Sequence, residues 1–210
     1  MAALESAGAR PEALTGSRTG VFIGQCNADY RQLVYAAPGP LDGHALTGTA
    51  YSTTTGRLSY ALGLQGPSLT VDTACSSSLV AVHLACQSLL TGESDLALVG
   101  ASSITVPTRA GALFQEGGLT SPDGHCRAFD AEARGTVGGD AVVVVVLKRL
   151  EDALRDRDHL RAVILGSAVN NDGATRAGFS APAVDGQAEV IAQALRMAGV
   201  APGEIGYVEA

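Results

Sequence analysis

The chain has 210 residues and a net charge of −7, with 46% hydrophobic, 17% charged and 4% aromatic side chains. That length buries a real core, as one domain or part of a larger one, and the composition excludes a disordered chain. No basic cluster and no apolar run near the roughly 20 residues that span a bilayer are present, which argues against nucleic acid and membrane as main partners. Four cysteines (Cys26, Cys75, Cys86 and Cys126) are too few for a disulfide framework in a chain this long. A reducing, cytoplasmic compartment is expected. Met1 to Ser6 lacks the charged start and long apolar core of a signal peptide.

Met1 to Gly8 reads as the tail of a helix closed by Gly8, and Arg10 to Arg18 as a polar connection. Val21, Phe22 and Ile23, between Gly20 and Gly24, predict a short buried strand. Asn27 to Tyr35 is a short helix or an irregular segment, and Pro38-Gly39-Pro40 breaks the chain. His44 is expected in a solvated loop. Thr54 to Leu64 reads as a helix with Leu58, Ala61 and Leu62 on one side and Arg57 at the surface.

Ser68 to Thr73 is β-branched and alternating, hence a strand. After Cys75 the period changes to helical, with Leu79, Val82, His83, Cys86 and Leu90 on one apolar face and Gly92 as the stop. On that face His83 and Cys86 read as packing residues. Cys75 therefore falls where a strand turns into a helix. Helix-start amides lack internal partners and carry partial positive charge, so this corner favours a thiolate and an oxyanion. Ala74, Ser76, Ser77 and Ser78 are small enough to admit an acyl group. The pattern suits covalent catalysis; the competing reading of an isolated cysteine is a small buried hydrophobe.

Leu96 to Val99 predicts a buried strand ending near Gly100, and Pro107 to Glu116 a short helix. Leu119 to Asp130 is a loop with a Ser-Pro-Asp-Gly turn, in which Arg127 and Asp130 make an ion pair or backbone contacts. His125 and Cys126 are neighbours, but two adjacent ligands do not make a metal site. Ala141 to Leu147, nearly all valine, predicts a central strand covered on both faces. Leu150 to Asp158 reads as a charged helix, Arg161 to Ser167 as a strand and Val169 to Pro182 as a loop. Gly186 to Ala198 is an amphipathic helix with Val190, Ile191, Ala194, Leu195 and Ala198 inward, stopped by Gly199; Ile205 to Glu209 begins a strand. Strands alternating with helices imply a layered α/β protein with largely parallel sheets.

Asp72-Thr73-Ala74-Cys75-Ser76-Ser77-Ser78 resembles the active-site signature of β-ketoacyl synthases, specifically the ketosynthase domains of modular type I polyketide synthases. Gly66-Pro67-Ser68 before it and Leu79 to Ala85 after it agree. So do Ser121-Pro122-Asp123-Gly124, Cys126 to Asp130, Val169 to Gly173 and Tyr207 to Ala210, in the family's order. The resemblance implies a thiolase-like fold, two related halves in a five-layered α/β/α/β/α sandwich. Residues 1–155 would form most of the N-terminal half, without its first strand region, and 156–210 the opening of the C-terminal half. It implies Cys75 as the catalytic nucleophile, with no metal and no directly bound cofactor. The acyl chain would arrive on the phosphopantetheine arm of an acyl carrier protein and condense with a malonyl-type extender.

The implied partners are that carrier, the acyltransferase domain of the same synthase and a second copy, paired through Ser68 to Val71. Two histidines and a lysine that complete the family's site would lie beyond Ala210, so this chain alone is expected not to condense. None of His44, His83, His125 and His159 matches those motifs. Ala141 and Val143 stand where the family usually has glycines, and valine there costs roughly 1–3 kcal/mol if space is lacking. The competing readings are a non-catalytic fragment with a dimerisation role and a thiolase-type acyltransferase; Asp-Thr-Ala-Cys-Ser-Ser-Ser favours the synthase.

Overall fold

The computed structural model describes residues 1–107, 114–174, 176, 178 and 181–209. It divides into two compact units, Met1–Leu147 and Lys148–Ala210.

Among the described residues the first unit is built on a four-stranded sheet in the order β2-β1-β3-β4. The strands are β1 (Thr19–Gly24), β2 (Ser68–Val71), β3 (Leu96–Ser103) and β4 (Ala141–Lys148). β1 pairs in parallel with β2 (Val21 opposite Ser68) and with β3 (Thr19 opposite Leu96). Every residue of β1 is buried. Alternation along the strands sends successive side chains to opposite faces. Val21, Ile23 and Leu98 pack on one face with Leu4 and Leu14, from α1 (Ala2–Ser6) and α2 (Pro11–Leu14), and with Leu64. Phe22, Ala97 and Val99 pack on the other with Ala81, Ala85 and Leu89 of α6 (Ser77–Leu90).

The crossover from β1 to β2 holds α3 (Asp29–Ala36), α4 (Gly43–Thr49) and α5 (Tyr51–Leu62). Gly63, at φ +65, ends α5 in the left-handed conformation. The polar connection expected before β1 contains the short helix α2, started by Pro11. His44 lies on α4, not in a loop; Asp42 caps that helix by accepting from the Ala45 amide at 2.8 Å. On α5 the buried residue is Thr55, whereas Leu58 is exposed. Thr55 Oγ1 meets Thr70 Oγ1 of β2 at 3.3 Å, while Leu62 of the expected apolar stripe packs against the first core.

Two expectations fail here for physical reasons. The buried face of α6 is Ser77, Ala81, Ala85, Ser88 and Leu89. At helical spacing this face is turned away from most of the predicted stripe: Val82 still packs against the second core, but Leu79 and Leu90 are 75% and 72% exposed. Small residues let the helix approach β1 and β3 closely. His83 and Cys86 are half-buried. Among the described residues β4 is the last strand of the sheet rather than a central one. Its first five residues are exposed, and only Val146 and Leu147 reach the two cores. Val143 is 61% exposed, so its side chain is not crowded where a glycine was expected.

In the second unit, α7 (Leu150–Asp156) follows a cluster in which Lys148 Nζ lies 2.6 Å from Asp156 and 2.7 Å from Asp158. Arg149 and Arg155 both pair with Asp152. Arg161 to Ser167 and Ile205 to Glu209 join no ladder among the described residues, so neither expected strand is present. Gly166 instead lies against α8 (Val184–Ala198): a Cβ there would be 2.6 Å from the Ala194 carbonyl oxygen. Val190, Ala194, Leu195 and Ala198 are half-buried on α8, whereas Ile191 is 59% exposed. Most of the helix expected at Pro107 to Glu116, and part of the Val169 to Pro182 loop, lie outside the described residues. No described helix is long and apolar enough to cross a membrane.

Candidate active site

The candidate site forms just beyond the carboxyl ends of β1 and β2, where parallel α/β sheets offer their ligand crevices. β2 ends at Val71 and α6 starts at Ser77, so Cys75 sits in the elbow between strand and helix and is exposed. Cys86, by contrast, is half-buried, and burial pushes its thiol up from the ordinary value. The two cysteines thus separate into an accessible thiol and a half-buried one.

Side-chain hydrogen bonds tie the elbow together. Asp72 Oδ1 accepts from the Ala74 amide at 3.1 Å. Ser76 Oγ donates to the Thr73 carbonyl at 2.7 Å. Ser77 Oγ accepts from the Thr73 amide at 2.9 Å and donates to the Ala74 carbonyl at 2.6 Å. Ala74 has φ +55, in the left-handed region. For an L-residue this costs roughly 1–2 kcal/mol, so the surrounding bonds must over-determine it.

Behind the elbow, Gly24 ends β1 against the first turn of α6. A Cβ there would lie 2.6 Å from the Ser77 carbonyl carbon. Beside it, the backbone N–H of Gln25 donates to the Val71 carbonyl at 3.0 Å and its side-chain Oε1 accepts from Thr54 Oγ1 at 2.8 Å. Tyr51 hydroxyl donates to the Cys26 carbonyl at 3.2 Å, and Arg31 stacks 5.5 Å from the Tyr51 ring centre. Arg57 donates to the Thr47 carbonyl at 3.3 Å and lines a shallow surface cleft with Tyr60.

The family model "Beta-ketoacyl synthase, N-terminal domain" matches residues 1–153, and "Beta-ketoacyl synthase, C-terminal domain" matches 161–210. The chain belongs to the beta-ketoacyl synthase family. It is 53% identical over 208 residues to a phenolphthiocerol/phthiocerol polyketide synthase of Mycobacterium tuberculosis, covering 99% of this chain and 14% of that protein. It is 49% identical over 208 residues to a mycocerosic acid synthase-like polyketide synthase of Mycolicibacterium smegmatis, covering 99% of this chain and 10% of the relative. Among solved structures, ketosynthase twelve of the bacillaene polyketide synthase from Bacillus amyloliquefaciens superposes with a TM-score of 0.88 at 37% identity. That match covers 98% of this chain and 36% of the other. This chain therefore spans about a third of a solved ketosynthase and a smaller share of the polyketide synthases. With that superposition, the beta-ketoacyl synthase chain shares the thiolase-like fold its signature implied.

The other motif blocks hold local structure. In the Ser-Pro-Asp-Gly turn, Asp123 accepts from Ser121 Oγ at 2.9 Å and from the His125 amide at 3.1 Å. Arg127 pairs with this Asp123 at 2.9 Å; Asp130 instead accepts from the Glu132 amide. His125 Nδ1 lies 2.9 Å from the Asp123 carbonyl oxygen. The Ser121 hydroxyl first, then the His125 amide and Arg127, hold the Asp123 carboxyl down at about 2. A depressed carboxylate stabilises the turn above its unfolded value of 3.8, and that contribution is lost as pH falls through about 2. A carboxyl-carbon NMR titration is expected to show that midpoint. Ser121→Ala should raise it more than Arg127→Ala does.

The sequence signal singled out Cys75 but passed over Ser77 and Gly24, which read as one more small residue and one more strand end. Their roles show only where β1 meets the first turn of α6.

Proposed function

We propose that this chain is the nucleophile-bearing part of a polyketide ketosynthase and that Cys75 accepts the acyl group. The carrying observation is an exposed cysteine on a braced strand-to-helix elbow, within the matched β-ketoacyl synthase segment. The thiolate sulfur attacks the carbonyl of an acyl thioester on the phosphopantetheine arm of an acyl carrier protein. A tetrahedral intermediate forms and expels the carrier thiolate, leaving the acyl group on Cys75. In the intact synthase a carrier-bound malonyl-type thioester then loses carbon dioxide. Its enolate carbon attacks the acyl carbonyl, forms the carbon–carbon bond and releases the Cys75 thiolate. The polyketide synthase relatives favour this condensation over thiolase chemistry or a purely structural fragment.

The N-terminal half would span 1–155 and the C-terminal half begin at 156, a division supported by the two family models. The acyltransferase domain of the same synthase would supply the extender, and a cytoplasmic location fits four free cysteines. The test is mass spectrometry after exposure to an acyl-pantetheine thioester: the adduct is expected on the peptide carrying Cys75, and an adduct only on other cysteines refutes the role.

A homodimer through β2 is the second element of this reading. β2 lies at the opposite end of the sheet from β4, and its Leu69 is 46% exposed. Such an edge offers unpaired backbone groups to a second copy. Light scattering is expected to report a dimer that Leu69→Glu dissociates; a wild-type monomer at high concentration removes the proposal.

A further inference from the structure

We infer that Ser77 is a positioning residue for Cys75, acting as a clamp that holds the backbone turn before the sulfur. The inference rests on the proposed role of Cys75 as acyl acceptor. Ser77 is only 5% exposed, so water does not readily replace its hydroxyl. That hydroxyl uses both of its capacities on the elbow. It accepts from the Thr73 amide and donates to the Ala74 carbonyl, at 2.9 and 2.6 Å. These two groups bracket the pair of residues that lead into Cys75.

Ala74 is held at φ +55, the strained turn that redirects the chain from β2 into the elbow. Left to itself, an alanine leaves that region. The clamp is itself anchored, because the Ser77 backbone rests against Gly24, with no room for a Cβ between them. The central strand thus fixes Ser77, Ser77 fixes Thr73 and Ala74, and Ala74 fixes the direction in which Cys75 is presented. Ser76 does not duplicate this, since it is exposed and its hydroxyl bonds to Thr73 rather than to Ala74.

Alkylation of the 210-residue chain by iodoacetamide, followed peptide by peptide, tests the clamp. Cys126 is also exposed and provides an internal reference. Ser77→Ala is expected to lower the Cys75-to-Cys126 rate ratio by about tenfold, the population factor that corresponds to about 1.4 kcal/mol of left-handed strain at Ala74 no longer held in place. Ser88→Ala is the matched control. It removes a buried hydroxyl from the same helix, one bonded to Ser94 at 2.7 Å, and should lower the melting temperature without moving the ratio. Ala74→Gly should restore the ratio in the S77A background, since glycine takes the left-handed turn without help.

An unchanged ratio in S77A overturns the inference. So does an equal fall in S88A, or an A74G/S77A double variant no faster than S77A. If S77A alone does not fold, the comparison moves to the A74G background, where A74G/S77A should fold and react at the A74G rate; an unfolded double variant overturns the inference. Failure of acyl transfer to Cys75 in the wild-type chain would sink the functional reading and leave this alkylation ratio readable.

Discussion

The Cys75→Ser chain is expected to form no acyl adduct at position 75 when exposed to an acyl-pantetheine thioester. A serine hydroxyl stays protonated at neutral pH, whereas a thiol supplies some thiolate without a base. Removing a nucleophile of this kind costs more than about 10³-fold in rate. The loss should be chemical rather than structural. Cys75 is exposed, and the hydrogen bonds that brace the elbow run through Asp72, Thr73, Ala74, Ser76 and Ser77. Stability should therefore stay within about 0.5 kcal/mol of the wild type. Exposure alone does not make an acyl acceptor, so Cys126, also exposed, should stay unmodified while Cys75 loads. Adducts at equal rates on Cys75 and Cys126 would show unselective thiol chemistry.

The elbow was legible because two periodicities meet there. Alternation up to Val71 and helical spacing from Ser77 leave Cys75 at the join, where the structure has it. β1 and β3 were legible as short unbroken apolar runs; it is the structure that divides their side chains between two cores, Val21 and Ile23 to one and Phe22 to the other. Periodicity ranks residues by size and apolarity, and there it misled on α6. Large Leu79 and Leu90 outweighed Ala81 and Ala85, yet the alanines are fully buried. Close approach of the helix to the sheet, rather than side-chain volume, decides that interface.

α6 is apolar on both sides, as expected of a helix covered on both sides. The valines of β4 carry the same message: an all-apolar strand reads as central, and in this chain its first five residues remain open. The polar contacts of Thr55, Ser77 and Ser88 left no sequence signal, because hydroxyl pairing depends on which elements meet in space.

Gly24→Ala is expected to destabilise the first unit by about 3 kcal/mol, the upper part of the usual range for overpacking. The added Cβ would lie 2.6 Å from the Ser77 carbonyl carbon and 2.7 Å from both the Ser77 oxygen and the Ser78 nitrogen. All three are backbone atoms, so no rotamer change relieves the clash. Either β1 bends or the start of α6 moves. Moving α6 pulls Ala81 and Ala85 from Phe22 and displaces the Ser77 hydroxyl from Thr73 and Ala74. For a chain this long the melting temperature should fall by about 6–12 °C.

Gly56→Ala provides the opposite sign. Gly56 lies within α5 with nothing within 4 Å of its would-be Cβ. Alanine there should stabilise by about 0.5–1 kcal/mol. A G24A chain that melts with the wild type would mean that β1 and α6 do not meet at this distance. A G24A chain that loses stability yet alkylates Cys75 at the wild-type rate would show the elbow holding its shape independently of the strand behind it.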